Sequence, residues 1–369
     1  MQNHRHPIKN LTGLLREHHA FKKENLPRIA VFYLKSILQE PLRILEEVNY
    51  ADAIHDHSMQ KDPIFIIGHW RSGTSFLQYL LGQDQQFGFM NKFQVVFPDI
   101  FLYSESFLKP LINKIPRTFN FTRDARNMSI NLELDSPSEI EIALTTMISP
   151  TSLHWGHIFP QDAWQYFDKF LFFDRAKESE IQLWKDHYHH LIKKTSLNND
   201  GKQVIIKSPG NACRIEKLLE LYPDAKFIFI HRNPYDVFYS SKKLWNTLLG
   251  NLSLQNFDEQ QMEEEIISLY KKLMKRYLQE RERVPEAQLA EIRFKDFVDN
   301  PVKELTKVYH TLNLEGFEQA EKKFYEFLST KTEGKSSNYT YEDHTVKRLN
   351  EEWDFAFKEW KYLKIKNSI

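Results

Sequence analysis

Residues 64–67 form an unbroken apolar run, Ile-Phe-Ile-Ile, closed by Gly68 and followed five positions later by Gly73. A short apolar run between turn residues predicts a strand buried on both faces. Thr74 and Ser75 then open a helix that continues through Phe76, Leu77, Leu80 and Leu81. Further strands are expected at 204–206, 227–230 and 289–294. The second of these leads into Asn233 and Pro234, a good N-cap and first helical position. The last precedes a helix over 302–314, behind Pro301. Residues 256–283 read as one amphipathic helix, with Met262, Ile266, Leu269, Leu273 and Tyr277 at threes and fours. Its acidic start at Asp258, Glu259 and Glu263 suits the helix dipole. Strands alternating with helices predict a three-layer, doubly wound α/β fold around a central parallel sheet.

Two segments fall outside this alternation. Residues 1–60 read as a helical N-terminal extension, in which Leu26, Ile29, Tyr33 and Ile37 recur at helical spacing. Pro41 interrupts that helix, and Leu42, Leu45 and Val48 resume it. Glu40, Glu46 and Glu47 favour a helical layer packed on the sheet domain over a helix lying on a membrane surface, the other reading of this segment. Residues 90–200 form an aromatic-rich insertion, with helices expected near 138–148 and 178–195. It is expected to build an acceptor pocket. Its Trp155, Phe159, Trp164, Phe167, Phe170, Phe172 and Phe173 either line an apolar cleft or serve as ordinary core. The resulting partition is the extension at 1–60, an α/β domain with its insertion at 61–330, and a loop and helix at 331–369 that close the site.

Composition narrows the partners. The 369 residues carry 50 Lys and Arg against 50 Asp and Glu, with 41% hydrophobic and 27% charged positions. That balance fits a soluble enzyme and gives no global charge for nucleic acid. Local cations must hold any anionic ligand. Cys213 is the single cysteine, so no internal disulfide is available and a reducing compartment fits. It is expected at a helix start after Asn211, in a packing role. No run approaches about 18 apolar residues, and residues 1–10 lack a following apolar core, so neither a spanning helix nor a secretory signal is expected. The expected location is cytoplasmic, with membrane association open, and no pattern speaks to oligomeric state.

The candidate chemistry sits at strand ends. Residues 68–75, Gly-His-Trp-Arg-Ser-Gly-Thr-Ser, join a strand to a helix N-terminus, where backbone N–H groups and the helix dipole favour an anion. The glycine spacing matches a nucleotide-triphosphate loop, but Thr74 stands where that loop requires Lys. Its only cation is Arg71. Lys207 follows a second strand and Arg232 a third, with Ser240 eight positions beyond Arg232. Ligands of open α/β sheets bind at this edge, and an Arg fork with a Ser hydroxyl suits a phosphate.

Together these blocks resemble the sulfotransferases that use 3′-phosphoadenosine-5′-phosphosulfate (PAPS), with a bacterial-type subgroup the nearest pattern. The resemblance spans residues 63–314. It implies a P-loop-like 5′-phosphosulfate loop at Trp70, Arg71, Ser72, Gly73, Thr74 and Ser75, with Arg71 on the bridging and sulfuryl oxygens. It places the 3′-phosphate on Arg232 and Ser240, and Lys335 near the donor as a basic loop residue. Lys207 becomes a catalytic cation, and no metal is required. The acceptor implied is a hydroxyl on an apolar small molecule, a lipid or a glycan, and that hydroxyl needs a base. Residues 134–141, Leu-Asp-Ser-Pro-Ser-Glu-Ile-Glu, resemble an Asp-x-Pro-x-Glu segment of the subgroup. Glu139, just inside a helix after Pro137, is the preferred base; Glu141 is the second candidate, since only one of the two can face the site. His69, His154 and His157 stay open as alternatives. The pair His154-x-x-His157 has no third ligand at metal spacing. Phe294 and Lys295 depart from the family's usual Tyr-Glu-Asp-Leu and receive no role. A magnesium-dependent phosphotransferase, which Thr74 disfavours, and a non-catalytic nucleotide-binding protein, which needs no base, are the rival readings.

Overall fold

The computed structural model describes residues 6–114, 134–330 and 339–365. Five strands form one parallel sheet in the order β2-β3-β1-β4-β5. They are β1 (Ile64–Gly68), β2 (Phe87–Phe89), β3 (Gln203–Lys207), β4 (Lys226–His231) and β5 (Leu289–Arg293). The apolar runs become strands because both faces are covered. Phe65, Ile67, Val204, Ile206, Phe227 and Phe229 join the larger core, which includes Leu269 and Leu273 of the helix Glu259–Glu280. Ile64, Ile66, Ile205, Ile228 and Ile230 point the other way, onto Leu77 and Leu80 of the helix Thr74–Leu81 and Leu305 of the helix Pro301–Thr311. Alternation puts successive residues on opposite faces, so a sheet covered twice reads as continuous apolar sequence. The fold is the expected three-layer α/β arrangement. β2 was not anticipated, because three residues centred on Gly88 carry no period.

Helix starts follow their caps. Asn233 accepts a hydrogen bond from the Tyr235 amide at 3.1 Å at the head of Pro234–Leu252, and Asp258 accepts from the Gln261 amide at 2.9 Å at the head of Glu259–Glu280. Cys213 ends the 3₁₀ segment Pro209–Cys213 instead of opening a helix, which begins at Ile215, and it is buried.

The N-terminal segment departs from expectation at Pro41. The helix Leu26–Asp56 runs through it for 31 residues. A proline cannot donate to the carbonyl four residues back, which is that of Ile37. Ile37 and Pro41 both lie on the exposed side, where solvent can take the hydrogen bond, and the helix continues. This helix and Pro7–Glu17 pack on the insertion: Leu11, Leu15 and Ile29 share a core with Trp155, Phe159 and Phe170. Phe167 and Phe172 join the main core. The insertion's aromatics are thus chiefly core, with Trp164 and Phe173 only partly buried.

At the carboxyl ends of β1 and β4, Gly68 pairs with Ile230. A Cβ on Gly68, whose φ is +153°, would lie 2.4 Å from the Ile230 carbonyl oxygen. Gly68→Ala should therefore destabilise the fold by about 3 kcal/mol, read as a lower urea midpoint at unchanged slope.

Candidate active site

The carboxyl ends of β3, β1 and β4 are neighbours, and Lys207, Arg71 and Arg232 lie at or just beyond them. After β1 the chain turns sharply: the Ser72 amide donates to the His69 carbonyl at 3.1 Å, and Arg71 and Gly73 take φ values of 72° and 106°. Arg71 is thus a non-glycine residue in the left-handed region, a strained conformation that needs surrounding support. Its Nε donates to Ser240 Oγ at 2.7 Å, and an Arg232 guanidinium nitrogen donates to its carbonyl oxygen at 3.2 Å. Arg232 also reaches Asp236 at 3.4 Å. The loop, Arg232 and Ser240 form one connected group.

Phe294 supports that group. Its ring fills the space a Gly73 side chain would need, with a Cβ there falling 2.3 Å from it, and the Arg232 guanidinium stacks 4.7 Å above the same ring. Sequence reading gave Phe294 no role. The signal was the pairing of a loop glycine with a bulky residue 221 positions away, which no local pattern reveals.

Glu139 and Lys207 form the second group. Residue 139 makes a parallel bridge with Lys207 at the end of β3. In-register neighbours send side chains to the same face, and Lys207 Nζ donates to Glu139 Oε2 at 2.6 Å with both side chains buried. Glu139 precedes the helix Ile140–Thr146 in an extended conformation, where the sequence had placed it just inside. The Ser138 carbonyl accepts from Gln78 Nε2 at 3.0 Å, which ties this segment to the helix after the loop. Gln78, one turn beyond Thr74, was also missed.

Glu141 goes elsewhere. It is fully buried, 2.8 Å from Arg214, and accepts from the Leu153 amide at 3.2 Å. Two residues apart across a helix start, the two carboxylates diverge. Arg214 also donates to the Phe170 carbonyl. No motif marked Arg214, because its partner is 73 residues away.

The histidines separate similarly. His69 is buried, its Nδ1 2.8 Å from the Trp70 carbonyl oxygen, and burial lowers its pKa to about 4. His157 is lowered to about 3, by burial first and by His154 second. His154 Nε2 lies 3.9 Å from Glu139 Oε1, and its Nδ1 is 3.3 Å from His157 Nδ1. His154 is thus the histidine beside the carboxylate. No cluster of metal-binding residues occurs among the described residues. Lys335 lies outside them.

The Sulfotransferase family model matches residues 63–319, and the chain belongs to that family. It is a transferase of the sulfuryl group. The omega-hydroxy-beta-dihydromenaquinone-9 sulfotransferase Stf3 of Mycobacterium bovis is 27% identical over 336 residues, covering 90% of this chain and 84% of that protein. Its counterpart in Mycobacterium tuberculosis matches equally. The crystal structure of sulfotransferase STF9 from Mycobacterium avium superposes with a TM-score of 0.73 at 17% identity, covering 99% and 98% of the two chains. That of STF1 from Mycobacterium tuberculosis gives 0.61 at 16%, covering 87% and 86%.

Two predictions follow from the buried charges. Glu141→Gln should cost about 3–5 kcal/mol by leaving Arg214 without its countercharge, while Glu141→Leu with Arg214→Met should recover most of that; urea unfolding of the three proteins decides. The second concerns pH. His69, His157 and His231, the last lowered to about 3 chiefly by burial, stay neutral when folded but protonate near 6.5 when unfolded. Stability should then fall as pH drops below 6.5, by about 2 kcal/mol per histidine at pH 5. Glu265, raised by burial to about 7, gains protons in the folded state over that range and offsets roughly one histidine. His157→Asn should reduce the loss between pH 6.5 and 5 by about 2 kcal/mol.

Proposed function

We propose that this sulfotransferase moves the sulfuryl group of PAPS to the hydroxyl of an apolar, lipid-like acceptor, with Glu139 as base. The single observation carrying the reading is the buried Glu139–Lys207 pair, 2.6 Å apart at the strand end beside the Arg71 loop. It sets a proton acceptor and a fixed cation side by side, and in-line transfer of a charged group requires both.

In this reading the loop amides and the hydroxyls of Ser72, Thr74 and Ser75 hold the 5′-phosphate, with Trp70 and Gly73 shaping the loop. Arg232 and Ser240 hold the 3′-phosphate. The bond from Arg71 Nε to Ser240 Oγ favours this assignment, because it links the two phosphate subsites before any ligand is considered. The acceptor oxygen bonds to sulfur as the bond from sulfur to the bridging phosphate oxygen breaks. The hydroxyl proton goes to Glu139, and the electron pair leaves on the phosphate, where Arg71 and Lys207 offset the charge. His154 is the residue next in line to pass that proton on. The residues need no metal for this step, since the leaving group carries no triphosphate to bridge. Glu141, buried against Arg214, is left out of the chemistry.

The lipid-like acceptor rests on the Stf3 relative, named for a menaquinone derivative. Peripheral membrane contact and a cytoplasmic location belong to the same proposal. Calorimetric titration should show tight binding of 3′,5′-adenosine bisphosphate, no comparable binding of ATP with magnesium, and loss of the former in Arg232→Ala. Glu139→Gln should keep bisphosphate affinity while kcat drops on the order of 10²–10⁴-fold. Full turnover in Glu139→Gln would remove it as the base.

A further inference from the structure

The helix Leu26–Asp56 is inside out. At 100° per residue, the eleven positions 26, 27, 30, 31, 34, 37, 38, 41, 44, 45 and 48 occupy one arc of the helix. Every one is apolar and every one is exposed, with Leu34, Leu38 and Val48 at 56%, 65% and 77%. The opposite arc packs on the protein and is largely polar. Lys35 donates to the Val96 carbonyl at 2.8 Å, Glu46 is buried against Lys194, and Arg28 donates to the Ser253 carbonyl at 2.6 Å. A surface helix ordinarily does the reverse. The exposed ridge is roughly 33 Å long and presents on the order of 700 Å² of aliphatic surface, beyond the 300–600 Å² usual for a monomer's largest patch.

We infer that this ridge docks on an anionic lipid surface, basic end foremost, and brings the enzyme to a membrane-held acceptor. The inference rests on the lipid-acceptor reading for its purpose, though not for its geometry. No helix among the described residues is long and apolar enough to cross a membrane, so the ridge lies on the surface and does not span it.

Charge picks the occupant. Residues 16–24 carry Arg16, Lys22 and Lys23 against Glu17 and Glu24, all five exposed. Phe21 stands between these cations at 50% exposure. The far end of the helix, residues 47–56, carries Glu47, Asp52 and Asp56 and neither Lys nor Arg. An anionic surface attracts the first end and repels the second. Of the acidic residues counted against a membrane role in the sequence, Glu46 is buried, Glu40 pairs with Arg43 at 2.5 Å, and Glu47 is exposed but lies outside the ridge's arc. A second copy fits less well. Two convex helices crossing at the usual angles touch over a few turns, short of the ridge's length and of the roughly 800 Å² per partner of a stable dimer.

The basic end also adjoins the site. Asn25 Nδ2 donates to the Leu254 carbonyl at 2.6 Å, and the Leu254 amide donates to the Ile158 carbonyl at 2.8 Å. Ile158 ends the short helix Trp155–Ile158 that follows His154, the neighbour of Glu139. These bonds tie the basic end to the segment that carries His154.

The test is co-sedimentation with phosphatidylcholine vesicles, with and without phosphatidylglycerol. Wild type should pellet with the mixed vesicles. Leu34→Asp/Leu38→Asp should bind at least tenfold more weakly at an unchanged melting midpoint, and Lys22→Glu/Lys23→Glu should lose the preference for phosphatidylglycerol. Turnover of a short water-soluble alcohol should be unaffected in both variants, while turnover of a long-chain alcohol held in vesicles should fall. Wild type that stays in solution, or an aspartate variant that pellets equally, would overturn the inference. So would a dimer in light scattering that the aspartates split. Weakened vesicle binding with no turnover of any lipid alcohol by wild type would keep the surface and sink the lipid-acceptor reading instead.

Discussion

The contact between Gly68 and the Ile230 carbonyl oxygen governs how close β1 and β4 lie at their carboxyl ends. A side chain at 68 would collide with that oxygen at 2.4 Å. Because Gly68 and Ile230 pair here, the loop after β1 and the helix after β4 start from neighbouring strand ends. Arg232 then reaches the Arg71 carbonyl, Arg71 reaches Ser240, and Phe294 from beyond β5 slides under Gly73. The strained φ of Arg71 is held by these contacts, so the loop, Arg232 and Ser240 form one connected group.

A second constraint is the bridge that sets residue 139 beside Lys207. It makes a backbone pairing decide which carboxylate faces Lys207, while the helix that starts at Ile140 carries Glu141 to Arg214. Two acidic residues that look equivalent in the sequence thus meet different cations, Lys207 and Arg214. The first pair sits beside the loop, whereas the second is sealed from solvent and holds the insertion to the segment after β3.

The strands and the cationic strand ends were readable because each depends on a few adjacent residues: an apolar run, a glycine, a capping Asn. Four of the five strands lay within a residue of their expected limits at both ends, and the three cations lie at neighbouring strand ends. What stayed hidden depends on contacts distant in sequence. Arg214 needs Glu141, Phe294 needs Gly73, and β2 needs Asn199, whose side chain occupies the space beside Gly88. Pro41 misled because its cost depends on whether the freed carbonyl faces water, which periodicity alone does not say. The helix 26–56 shows the same limit: its apolar positions were visible, but which side they faced was not.

That helix raises a folding question of its own. A rod with an aliphatic flank should roll to bury it during collapse. The buried Glu46–Lys194 pair and the Lys35 bond to the Val96 carbonyl oppose this, because a roll would leave a charge stranded under the protein, at a cost of several kcal/mol. These polar contacts act as an azimuthal lock. They add little net stability, yet they fix the angle at which the helix sets and so keep its greasy flank facing outward.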